Sequence, residues 1–131
     1  MEKKIILVVD DAEVIRTQVS DLLTPQGFQV IEADDGIAGI NAYESNPDIQ
    51  LIVSDVNMPN MDGLTMCEQL KKKPGFSIPI LMLTTEASRA MKDEGKRIGV
   101  RGWMLKPFDP ANFIKIIQML TENSSGVKKT A

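Results

Sequence analysis

Five short apolar runs recur along the chain, and a segment of helical periodicity follows each. The runs are 5–9 (IILVV), 28–33 (FQVIEA), 51–54 (LIVS), 79–83 (PILML) and 102–105 (GWML). Short runs of this kind, bounded by turn residues, read as strands buried on both faces. Between them, apolar residues fall at helical spacing: Ile15, Val19, Leu22 and Leu23, then Ile37, Ile40 and Tyr43, then Leu64, Cys67 and Leu70. The last helix, 110–122, is expected to bury Phe113, Ile116, Ile117 and Leu120. The fourth, about 88–97, is mostly polar, with a thin apolar face of Ala87, Ala90, Met91 and Ile98. Its interior Gly95 costs ~1 kcal/mol relative to alanine, so it is expected to be the loosest helix. Strict alternation of strand and helix predicts an α/β fold: a doubly wound, five-stranded parallel sheet with helices on both faces. Right-handed crossovers leave 2-1-3-4-5 as the common strand order. Ligands then bind beyond the carboxyl ends of strands one and three, where the order reverses.

At 131 residues the chain suits one domain, taken as 1–122, with a polar tail over 123–131 expected to fray. Net charge is -3, which argues against nucleic acid or an anionic membrane as main partner. The first apolar run is cut short by Asp10, too soon for a signal peptide. No run approaches the ~20 apolar residues of a membrane span. A single cysteine, Cys67, cannot close an internal disulfide, and a cytoplasmic location is expected. The absence of histidine excludes a histidine base, nucleophile or zinc site supplied by this chain.

The polar residues at the strand ends then stand out. Strand one ends in Asp10 and Asp11, strand three in Asp55, strand four in Thr84 and strand five in Lys106. Singly, each has an ordinary reading: a helix cap, a turn aspartate, a strand-end hydroxyl, a solvated lysine. Asp34 and Asp35 look similar, but strand two is an outer strand, and there capping is preferred. Together, three carboxylates, one ammonium and one hydroxyl meet at one crevice. Three carboxylates that close repel one another. A divalent cation resolves the conflict, and all-oxygen ligands point to Mg²⁺ rather than zinc. Such a set suits phosphoryl transfer to a carboxylate, which needs no general base.

Four motifs carry a family resemblance: Val-Val-Asp-Asp at 8–11, Ser-Asp-Val-Asn-Met-Pro-Asn-Met-Asp-Gly at 54–63, Leu-Thr-Thr-Glu at 83–86 and Leu-Lys-Pro-Phe at 105–108. In order and spacing the chain resembles the response-regulator receiver domain, in its single-domain CheY-like form. The 2-1-3-4-5 order is that family's own and is not independent support. The resemblance implies that Asp55 is the phosphoacceptor. It implies that Asp11, Asp55 and the backbone carbonyl of Asn57 hold Mg²⁺, with Asp10 acting through a water. Thr84 would hydrogen-bond the phosphoryl group, Lys106 would ion-pair with it, and Lys106-Pro107 would be a cis peptide. Asn57 and Glu86 resemble the chemotaxis type, in which such positions tune the lifetime of the phosphoaspartate.

In the family an aromatic side chain on strand five follows the threonine inward on activation. Here it is Trp103, where tyrosine or phenylalanine is usual; indole is bulkier and needs a partner for its N–H. The plainer reading of Trp103 is a cover over the sheet edge. Thr85 stands where a smaller residue is commoner and is expected to narrow access to the site. Val100 replaces a usual alanine.

The expected function is a stand-alone two-component response regulator that is not an enzyme beyond its own phosphorylation and dephosphorylation. Its partners would be a sensor histidine kinase or phosphotransfer protein and a downstream protein, with a flagellar motor switch as one candidate. The face carrying Ala90, Lys92, Lys96, Trp103 and Lys115 is the expected contact surface. A phosphorelay shuttle or phosphate sink is an alternative within the class. A haloacid-dehalogenase-type phosphatase is a remote one, because its nucleophile ends the first strand. A flavodoxin-like carrier would want a Ser/Thr-rich phosphate loop where this chain has two acids.

Overall fold

The computed structural model describes residues 3–125. The elements alternate as expected: β1 (Lys4–Val9), α1 (Glu13–Leu23), β2 (Phe28–Ala33), α2 (Gly36–Ser45), β3 (Ile49–Ser54), α3 (Gly63–Lys71), β4 (Ile80–Thr84), α4 (Arg89–Ile98), β5 (Gly102–Leu105) and α5 (Pro110–Ser125). A 3-10 turn, Thr24–Gln26, follows α1 and closes on Gly27 at φ 95, a left-handed position that glycine fills at no steric cost. The strands form one parallel sheet in the order β2-β1-β3-β4-β5. The last helix, α5, runs to Ser125, three residues into the expected 123–131 tail; the rest of that expectation, 126–131, lies outside the described residues.

Strand residues alternate between two apolar layers, as the period of two requires. Ile6, Val8, Leu51, Val53, Leu81 and Leu83 pack toward α1 and α5. Leu7, Val9, Ile52, Ile80 and Met82 pack toward α2, α3 and α4. Burying each such side chain is worth about 1.5–3 kcal/mol, so both faces hold the central strands in register.

Two helix faces differ from expectation. In α2, Ile37 is exposed rather than inward-facing. The helix approaches the sheet through Gly36 and Gly39 instead, and a Cβ on Gly39 would lie 2.6 Å from the Met66 sulfur. Small residues let the backbone come close and turn Ile37 to the outside. In α4, Ala87 and Ala90 are exposed, and the contact runs through Met91, Gly95 and Ile98. Gly95 is not merely a weak point: a Cβ there would lie 2.9 Å from Trp103 Cζ3, so its absence seats the indole.

Four of the five helices among the described residues begin with a side-chain cap. Asp35 caps α2, Asp62 caps α3, Ser88 caps α4, and Asp109 accepts from Asn112 N–H at the start of α5. The first, α1, begins at Ala12 with no side-chain cap. The capping alternative for Asp10 and Asp11 therefore fails. Among the described residues no helix is long and apolar enough to cross a membrane.

Candidate functional site

The sheet ladder delivers the acids to one place. Asp10 N–H donates to Ala33 O at 3.0 Å and Asp55 N–H to Val9 O at 2.9 Å, continuing the parallel pairing one residue beyond β1 and β3. On the far side, Lys106 N–H donates to Thr84 O at 2.9 Å and so fixes the residue after β5. Lys106 Nζ then donates to Asp10 Oδ2 at 2.7 Å and to Asp55 Oδ2 at 3.1 Å. Carboxylate oxygens of Asp10, Asp11 and Asp55 all lie within 4.8 Å of one another. Asp10 is buried, Asp55 half-buried and Asp11 exposed. The peptide before Pro107 is cis, as the resemblance implied.

Charge is unbalanced here. Burial pushes the Asp10 carboxyl above its ordinary value, and the hydrogen bonds from Lys106 and from Ala12 N–H only partly oppose it. Burial alone would lower the Lys106 ammonium, but its hydrogen bonds to Asp10 and Asp55 outweigh that and raise it. Lysine is thus held charged between two carboxylates, and the third carboxylate faces solvent. Three carboxylates against one ammonium leave a formal deficit that one divalent cation would cancel. Oxygens ~2.1 Å from one Mg²⁺ lie about 3–4 Å apart, so this cluster needs only a small inward adjustment. The donor set fits magnesium: hard oxygens, few protein ligands, and an exposed side left for water and phosphate.

The other expected residues form a second group centred on Glu86. Thr84, fully buried, accepts from Glu86 N–H at 3.1 Å. Glu86 O accepts from the Trp103 indole N–H at 2.7 Å. The Glu86 carboxylate accepts from the Asn57 side-chain amide at 2.9 Å. The indole N–H thus has its partner, and the ring is half-buried against Gly95. Thr85 is exposed and lines a cleft of about 310 Å³ with Ile15, Gln18, Lys106, Pro107 and Phe108. Val100 packs partly buried beside Gly95.

Sequence reasoning missed Arg16 and Asn60, and read Asp35 as a helix cap without its second partner. Arg16 Nη1 donates to Asp10 O at 2.7 Å while its Nε pairs with Glu32 at 2.9 Å, tying the end of β1 to β2. Asp35 and Asn60 are joined by a hydrogen bond of 2.6 Å. Helical spacing places Arg16 on the face above β1, but nothing in the linear sequence pairs it with a backbone carbonyl. Asn60 did carry a signal, since asparagine favours the left-handed conformation it adopts here, φ 67.

The sequence matches the response regulator receiver domain over residues 6–118. It is 34% identical to the chemotaxis protein CheY1 of Helicobacter pylori over 107 residues, 80% of this chain and 86% of that protein. It is 42% identical over 111 residues to the alkaline phosphatase synthesis transcriptional regulatory protein PhoP of Bacillus subtilis, 84% of this chain but 45% of that one. The structure resembles the chemotaxis protein CheY4 of Vibrio cholerae with a TM-score of 0.85 and 38% identity, covering 91% of this chain and 99% of that one. With the acid pocket, the strand order and these matches in agreement, the chain belongs to the response regulator receiver domain family.

Proposed function

We propose that this protein is a two-component response regulator that takes a phosphoryl group onto Asp55 from a partner's phosphohistidine and signals by binding a second protein. The observation that carries the reading is the meeting of Asp10, Asp11, Asp55 and Lys106 at the ends of β1, β3 and β5. In the transfer, an Asp55 carboxylate oxygen attacks phosphorus, the P–O bond forms and the P–N bond breaks. The departing imidazole of the donor takes its proton from solvent. Asp11, Asp55 and the Asn57 carbonyl would hold magnesium, with Asp10 beside them, and the ion would offset charge on the reacting oxygens. Lys106 exchanges its Asp55 partner for a phosphoryl oxygen and remains paired with Asp10. The protein catalyses only its own phosphorylation and dephosphorylation.

The Glu86 junction supplies a route outward. Thr84 accepts from Glu86 N–H and keeps its own hydroxyl proton free to donate. Drawing that hydroxyl toward a phosphoryl oxygen pulls on Glu86, whose carbonyl holds Trp103 and whose carboxylate holds Asn57. The indole would then report the state of Asp55 on the face of Ala90, Lys92, Lys96 and Lys115. Thr85, at the rim beside Lys106, restricts approach to the acyl phosphate. Relatives named as chemotaxis proteins match over most of their length, which favours a cytoplasmic chemotaxis role, with a flagellar switch component as one target.

The test is incubation with Mg²⁺ and a small phosphodonor, read by intact mass. One phosphate should appear on the wild-type chain and none on Asp55→Ala. A phosphate gained by Asp55→Ala would overturn the assignment. Capture of a partner by the beryllofluoride-treated protein but not by Asp55→Ala would test the binding output.

A further inference from the structure

The segment joining β3 to α3 carries both Asp55 and the Asn57 carbonyl, and much of it is exposed: Asn57, Pro59 and Asn60 all face solvent. Several of its hydrogen bonds are internal. Val56 N–H donates to Asp55 Oδ1 at 2.6 Å, Met61 N–H to Pro59 O at 2.6 Å, and Gly63 N–H to Val56 O at 2.8 Å. Two others tie it to a different element, the start of α2. Gly36 N–H donates to Met61 O at 2.9 Å, and the Asn60 amide donates to Asp35 Oδ2 at 2.6 Å. Asp35 is only 8% exposed. Its other oxygen accepts from Ala38 N–H at 2.8 Å, so one carboxylate both caps the helix and holds the segment. The fit is close: a Cβ on Gly36 would lie 2.7 Å from Met61 O. Asn60 sits at φ 67, which asparagine tolerates and which turns its amide toward Asp35.

We infer that Asp35 and Asn60 are positioning residues for the metal site. They touch neither the metal nor the phosphoryl group. They latch the segment after β3 to α2, so that the Asn57 carbonyl and Asp55 are already arranged when Mg²⁺ arrives. This rests on the magnesium reading given above. Groups that orient metal ligands in this way typically change affinity by 10–100-fold when removed.

The experiment is calorimetric titration of the full chain with MgCl₂, for wild type, Asn60→Gly, Asn60→Asp and the exchanged pair Asp35→Asn/Asn60→Asp. Glycine keeps the left-handed backbone but removes the amide. Aspartate sets a second carboxylate against Asp35. The exchanged pair restores the hydrogen bond in reverse, and asparagine still caps α2. Asn60→Gly should weaken Mg²⁺ binding roughly tenfold, Asn60→Asp by at least as much, and the exchanged pair should recover most of the loss. If wild type binds Mg²⁺ and both single variants bind within about twofold of it, the latch does not position the site. A lowered melting temperature with unchanged Mg²⁺ affinity overturns the inference in the same way. Failure of wild type itself to bind Mg²⁺ would instead overturn the functional reading on which the latch depends.

Discussion

The chain contains two tandem aspartate pairs, each at the end of a strand and just before a helix, and the structure uses them in opposite ways. Asp34-Asp35 follows β2 at the sheet edge; Asp35 caps α2 and binds Asn60. Asp10-Asp11 follows β1, an interior strand, and there α1 begins after Ala12 with no side-chain cap. An N-cap is worth ~1 kcal/mol, and each of the other four helices has one. In the edge pair, Asp35 has its charge satisfied by backbone N–H groups and an amide, and Asp34 is exposed. The other is crowded against Asp55 with a single lysine between. The same dipeptide stabilises at the edge and stores unbalanced charge at the centre, where the strand order reverses. A missing cap beside a buried carboxylate marks a residue kept for something other than stability.

That contrast breaks most readily on magnesium. Asp11→Ala should weaken Mg²⁺ binding by more than the ~100-fold upper range for groups that act only through other ligands. The corresponding change in the edge pair, Asp34→Ala, should leave it within about twofold, as Asp34 is exposed. Comparable losses in both titrations would mean that the pairs are not distinct. Stability should divide them by sign. Asp35→Ala removes a cap and a part-buried hydrogen bond and should cost about 1–2 kcal/mol in urea unfolding. Asp10→Asn keeps one oxygen, for Ala12 N–H, gives up the Lys106 acceptor, and removes one of the three crowded charges. In metal-free buffer it should raise the urea midpoint.

Restoring the missing cap sharpens the comparison with a smaller effect. Ala12 lies in the extended region, φ -91 and ψ 111, where a serine hydroxyl can reach the free end of α1. Ala12→Ser should add about 0.5–1 kcal/mol of stability and leave Mg²⁺ affinity unchanged. No gain would mean that α1 is satisfied by other means.

How much of this was legible in sequence follows from what each feature depends on. The inner strands β1, β3 and β4 are buried on both faces, so they appear as continuous apolar runs whose ends name Asp10, Asp55 and Thr84, while the shorter, half-exposed edge strand β5 still ends at Lys106. The family motifs added Asn57 and Glu86. Ile37 misled because periodicity weights large side chains, whereas α2 approaches the sheet through Gly36 and Gly39. Gly95 appeared only as a weak helix residue, because the need for it comes from Trp103, eight positions on and in another element. Glu86 works mainly through its backbone N–H and carbonyl, which no side-chain motif records. The Asp35–Asn60 latch spans 25 positions and joins two loops, a pairing that only the folded sheet brings about.

The smallest expected effect is a pair of opposite pH slopes. The Ala38 N–H and the Asn60 amide hold the Asp35 carboxyl below its ordinary value of 3.8. A carboxyl lowered on folding contributes stability that is present above the unfolded value and lost as pH falls through the folded one. The deficit of Asp35→Ala relative to wild type should therefore be full at neutral pH and shrink below about pH 4. Burial raises the Asp10 carboxyl, so its sign is reversed. The protonated form is favoured on folding, and the cost of the charged form grows as pH rises above 3.8. The gain from Asp10→Asn should therefore be largest at neutral pH without metal and vanish in acid. Urea midpoints of the three proteins from pH 3 to 7, taken in chelator, read both slopes at once. Parallel curves for the two variants would show that centre and edge aspartates carry their charge alike.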